Sequence, residues 1–202
     1  MKNVFIISPG RTATFAMSKA LSCVSGFTSS HESRVSFLED ERINYPDFHI
    51  ELDNRLSFYM PQLTKKYSKT ESLLVIVNRD RKSIAESYNK RWRKINIMKA
   101  FSQGIHMRNL DSNNIDVCLA YVNYVYETLD YFKNDWDNVL EVDFSNLNAA
   151  VEQILKRVNK IEDLDNVLEE MKNKSNLNTT TIKSKLADAR FNFKNLIKDF
   201  FE

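Results

Sequence analysis

Short apolar runs alternate with longer amphipathic stretches along most of this chain. Val4–Ile7, Phe27–Ser30, Phe48–Ile50, Ser72–Val77 and Val139–Val142 are short enough to be strands. Ser72–Val77 is the most telling, because its continuous LLVIV core marks a strand buried on both faces of a parallel sheet. Between these runs the period changes to that of a helix. Met17, Ala20, Leu21 and Val24 share one face, and so do Ile84, Tyr88 and Trp92. Ile115–Phe132 repeats the pattern with Val117, Tyr121, Tyr124, Val125 and Leu129, and two further helices cover residues 147–158 and 160–172. Shorter helices are expected over Val35–Ile43 and Arg55–Leu63, and a loop or broken helix over 96–113. The stretch 173–181 reads as polar and flexible, 183–190 as basic, and Phe191–Phe201 as an aromatic helix that docks on the rest.

Strands alternating with helices predict an α/β fold: a central, mostly parallel sheet of four to five strands between helical layers. With 202 residues and no repeat or linker, one domain over 1–202 is the natural reading. Composition narrows the class further. Hydrophobic residues make up 43% and charged residues 28%, as in a soluble globular protein. A formal net charge of +2 is too small for general nucleic-acid affinity. No apolar run reaches the length of a membrane span or a signal peptide. Cys23 and Cys118 have no metal-ligand spacing and read as reduced, so the expected compartment is the cytoplasm.

The candidate chemistry begins where the first strand breaks at Ser8-Pro9-Gly10. Strand, tight loop and helix N-terminus together favour an anion, and Gly10 permits close backbone approach. Arg11 adds a fork suited to phosphate or sulfate oxygens. The nucleotide-triphosphate loop would need a further Gly, then Lys and Ser/Thr; here Arg11-Thr12-Ala13-Thr14-Phe15 follows instead. His31 and Glu32 come just after the second strand, where open α/β folds place ligands, and either could serve as a base. Glu51, Asp53 and Asn54 follow the third strand, with Asp53 or Asn54 as a helix cap. Arg79 ends the central strand and should point into the crevice, while Asp80 caps the next helix.

The loop at 8–14 and the pair Arg79 and Ser87, eight positions apart, are together similar to sulfotransferases that use 3′-phosphoadenosine 5′-phosphosulfate (PAPS), in particular the bacterial and carbohydrate branch. The resemblance spans about the first three-quarters of the chain. It implies a fold with P-loop NTPase-like topology. It also implies PAPS as donor, 3′,5′-bisphosphoadenosine (PAP) as product, and no metal. By position, Pro9, Gly10, Arg11, Thr12, Ala13, Thr14 and Phe15 would hold the 5′-phosphosulfate, and Arg79 and Ser87 the 3′-phosphate. Glu32 would be the base, with His31 as its neighbour or substitute, and Arg11 would carry leaving-group charge. The acceptor would be a small molecule or carbohydrate. Neither a nucleic acid nor a membrane is implied, and the short chain leaves a homo-oligomer open. Ala13 stands where the family has Gly, and Phe15 where it has Ser or Thr. The family's basic C-terminal loop has no clear match beyond Lys183, Lys185 or Arg190. A divergent P-loop kinase or NTPase, and a non-catalytic nucleotide- or protein-binding module, remain as alternatives.

Overall fold

The structure is a computed structural model that describes residues 1–92, 96–108 and 114–175. Five strands form one sheet: β1 Asn3–Ile7, β2 Thr28–His31, β3 His49–Leu52, β4 Ser72–Asn78 and β5 Val139–Asp143. Their spatial order is β2-β3-β1-β4-β5, and every neighbouring pair is parallel. Parallel strands end on a common edge, so the segments after all five strands gather there. β1 is the switch point, with β2 and β3 on one side and β4 and β5 on the other. Open α/β sheets bind ligands in such a crevice.

The helices are α1 Thr14–Leu21, α2 Met60–Tyr67, α3 Arg81–Asn89, α4 Asn96–Lys99, α5 Ile115–Phe132, α6 Leu147–Arg157 and α7 Leu164–Ser175. Strand alternation sorts the core into two layers. Phe5, Ile7, Leu74 and Ile76 face α2, α3 and α5 through Met60, Leu63, Ile84, Tyr88 and Val125. Val4, Ile6, Leu73, Val75 and Val77 face α1, α6 and α7 through Met17, Leu21, Val151, Ile154 and Val167. Each buried Val, Leu or Ile contributes about 1.5–3 kcal/mol, so β4 is the strongest single anchor of the sheet. Among the described residues no helix is long and apolar enough to cross a membrane. The C-terminal stretches around Lys183, Lys185, Arg190 and Phe191–Phe201 lie outside the described residues.

Three segments depart from the sequence reading. Val35–Ile43 is helical only as a 3-10 turn over Glu39–Ile43. Phe37 and Leu38 are exposed, so a helix begun at Val35 would have no apolar face to bury. The chain from Asn54 to Tyr59 is also 3-10, and the α-helix starts only at Met60. Pro61 explains this: it has no N–H to give a preceding turn, but fits a first turn well. β3 runs two residues further than expected, to Leu52, which puts Glu51 inside the sheet and fully buried.

That extension creates a polar layer. Ile50 and Leu52 join one apolar layer, and the alternating His49, Glu51 and Asp53 turn away from them. Asp53 pairs with Arg42, and the two side chains are only 0% and 2% exposed. The other Asp53 oxygen accepts from Arg55 N–H at 2.8 Å, as the expected cap. Removing one partner of such a pair leaves a buried charge unanswered. Asp53→Ala is expected to cost about 3–5 kcal/mol, read by chemical denaturation.

Candidate active site

The first turn after β1 is built from inside. Ser8 and Thr12 are both buried, and their hydroxyls lie 2.6 Å apart. Gly10 N–H donates to Ser8 Oγ at 3.1 Å. Gly10, Arg11 and Ala13 all have positive φ, at 90°, 60° and 56°. Ala13 therefore takes, as the N-cap of α1, the left-handed conformation that a glycine would adopt freely, at a cost of roughly 1–2 kcal/mol. Among the described residues the N–H groups of Arg11, Thr12, Ala13 and Thr14 have no backbone or side-chain acceptor. Free amides at a helix start make an anion-binding concavity.

A cluster of cations adjoins them. Arg11 Nε donates to Ser87 Oγ at 3.0 Å, across 76 residues of sequence. Arg79 donates to the Arg11 carbonyl and lies 4.3 Å from the Phe144 ring centroid. Among the described residues neither Arg11 nor Arg79 has an ion-pair partner. Burial pushes the Arg11 guanidinium down, and the charges of Arg91 and Arg79 push the same way, against the opposing pull of Tyr88. Arg11 is thus a cation whose surroundings disfavour its charge, and an anion there would reverse that.

The opposite wall comes from β2 and β3. His31 Nε2 and Thr14 Oγ1 are hydrogen-bonded at 3.0 Å, so the end of β2 touches the loop. Phe15 is exposed and meets the His31 ring edge-on at 5.7 Å. Glu32, half-buried, pairs with Arg55 at 2.5 Å. Burial alone would lower the Arg55 guanidinium, but the hydrogen bond and charge of Glu32 outweigh it and raise it. Glu32 also sits at φ 53°, a left-handed bend. Its neighbours hold that bend: Glu32 N–H donates to Leu52 O at 3.1 Å, and Ser33 gives both its N–H and its hydroxyl to Glu51, at 2.8 and 2.6 Å. Glu51 takes a further contact from His49 Nε2 at 2.9 Å.

Beneath the loop stands Tyr88. Its hydroxyl donates to the Pro9 carbonyl at 2.6 Å. A Cβ on Gly10 would lie 2.3 Å from that hydroxyl oxygen, so only glycine fits. The fold therefore brings together Pro9, Gly10, Arg11, Thr12, Ala13, Thr14, Arg79 and Ser87, with His31, Glu32 and Phe15 on the adjoining wall. Arg79 and Ser87, which sequence reading expected at the 3′-phosphate, both contact Arg11 directly. It missed Tyr88, Arg55 and Phe144 as parts of this region. A tyrosine within the apolar stripe of α3 was the one available signal, because a buried phenol needs a partner. Among the described residues no group of His, Cys, Asp and Glu could hold a metal ion.

The fold itself has solved counterparts. The sulfotransferase domain from the curacin biosynthetic pathway superposes with a TM-score of 0.56 at 11% identity, over 77% of this chain and 73% of that one. The chain has a sulfotransferase fold. The mouse sulfotransferase SULT7A1, solved in complex with PAP, gives a TM-score of 0.54 at 12% identity, over 91% of this chain and 69% of that one. No protein-family model matches the sequence, and no curated protein does so. The sulfotransferase fold is thus visible in tertiary structure at an identity where sequence comparison finds nothing.

The loop geometry makes opposite demands on its two small residues. Gly10→Ala adds a Cβ against the Tyr88 hydroxyl at a positive φ, and is expected to lower stability by about 2–5 kcal/mol. Ala13→Gly relieves a left-handed alanine and should leave stability equal or up to about 1 kcal/mol higher. Thermal unfolding of both variants checks the pair.

Proposed function

We propose that this protein is a sulfotransferase that moves a sulfuryl group from PAPS to a hydroxyl of a small-molecule or sugar acceptor. One observation carries the reading: amides and guanidinium groups that have no acceptor or carboxylate partner among the described residues converge at the switch point of a sulfotransferase fold. A neighbour in that fold was solved with PAP. The residues fit such a ligand, since Arg11 sits among cations that an anion would relieve, and the amides of 11–14 have no acceptor among the described residues.

The residues divide the work by position. The amides of Arg11–Thr14 and the Arg11 guanidinium bind the 5′-phosphosulfate and oppose the charge that gathers on the leaving phosphate. Arg79 and Ser87 supply a guanidinium and a hydroxyl for the 3′-phosphate. Phe144, stacked on Arg79, limits the freedom of that side chain. The donor, when bound, supplies an activated sulfuryl group for in-line transfer. Glu32 accepts the proton of the acceptor hydroxyl, and Arg55 with the Glu51–Ser33 clamp aims it. His31, tied to Thr14, lines the path between Glu32 and the loop.

The donor reading is tested by calorimetry with PAP and with ATP–Mg²⁺. PAP should bind and ATP–Mg²⁺ should bind more weakly, and Arg79→Ala should weaken PAP by at least tenfold, as loss of a charge-assisted contact implies. Preference for ATP–Mg²⁺ would move the protein to the kinase or NTPase class. The base assignment is separate. Glu32→Gln should abolish sulfuryl transfer from PAPS while leaving PAP affinity within about twofold, and full turnover by that variant would refute it.

A further inference from the structure

Tyr88 belongs to a chain of buried polar groups that ends on the loop. Asn54 Nδ2 donates to the Tyr121 hydroxyl at 2.8 Å. The Tyr121 and Tyr88 rings meet edge-on at 5.6 Å. Tyr88 then donates to the Pro9 carbonyl. Both rings lie in the apolar layer, at 3% and 0% exposure. A phenol buried there is costly unless bonded, so a hydroxyl on each ring calls for a reason beyond packing.

The reason lies in the peptide that Tyr88 grips. A peptide group is planar, so fixing the Pro9 carbonyl fixes the Gly10 N–H on the opposite side. That N–H is the one bonded to Ser8 Oγ, which locks the turn from within. Among the described residues the next four N–H groups, from Arg11 to Thr14, have no internal acceptor. Burial pushes both phenols up, so each stays a proton donor throughout the physiological range. The relay runs from Asn54 to Tyr121 by a hydrogen bond, from Tyr121 to Tyr88 by ring contact, and from Tyr88 to Pro9 by a hydrogen bond.

We infer that Tyr88, backed by Tyr121 and Asn54, is a positioning residue that sets the loop for the 5′-phosphate and leaves the 3′-phosphate subsite untouched. This rests on the donor reading above. Tyr88→Phe keeps the ring and its packing and removes only the hydrogen bond to Pro9. One hydrogen bond corresponds to roughly a 2- to 12-fold change in affinity.

The experiment is calorimetry with PAP, 5′-AMP and 3′-AMP on wild type, Tyr88→Phe and Tyr121→Phe, with thermal unfolding alongside. Tyr88→Phe should weaken PAP and 5′-AMP by about fivefold and leave 3′-AMP within error. Tyr121→Phe should do the same more weakly, and the double variant should lose less than the sum of the two. Equal loss for all three ligands, or no loss for any, would overturn the inference. If wild type ignores PAP but binds inorganic sulfate, and Tyr88→Phe weakens sulfate, the relay stands and the donor reading falls. If wild type binds none of these ligands, both fall.

Discussion

A half-buried guanidinium with no carboxylate partner among the described residues is what the carboxyl edge of this sheet is arranged around. Arg11 sits beside two more arginines, and its protonated form is held at a disadvantage by burial and by those charges. Folded proteins rarely keep such an arrangement unless something outside the chain repays it. The cost is contained by neutral partners. Ser87 accepts from Arg11, and the Arg11 carbonyl accepts from Arg79. These contacts orient the cations without neutralising them.

The parallel sheet separates this cationic side from an acidic one. β1 and β4 deliver the loop and Arg79, and β2 and β3 deliver Glu32, Arg55 and the buried Glu51. Thr14 and His31 are the bridge, since their contact crosses from the loop to the wall. Pairing Glu32 with Arg55 keeps its charge answered locally.

Support for both sides is drawn from the core. Tyr88 lies in the same apolar layer as Val125 and Ile84, yet its hydroxyl reaches the loop. Glu51 lies within β3 and holds the backbone at Ser33, next to Glu32. Strands and helices thus position groups on the turns that follow them, which is how a site retains its geometry.

Periodicity alone carried the layers: the LLVIV strand, the stripe of Ile84, Tyr88 and Trp92, and α5 from Ile115 to Phe132 were all legible, because burial imposes a period on residue type. The loop at 8–14 was legible too, since its composition is local. Three things were not. The 3-10 course of residues 54–59, the extension of β3 to Glu51, and the meeting of Arg79 and Ser87 with Arg11 depend on residues far apart in sequence. Nothing at position 88 says that its hydroxyl will find Pro9, and nothing at position 10 says that a side chain from α3 will exclude a Cβ. Residue chemistry sets which groups are available; only the packing of strands into one parallel edge decides which of them meet, because a hydrogen bond is made by distance and direction rather than by order along the chain.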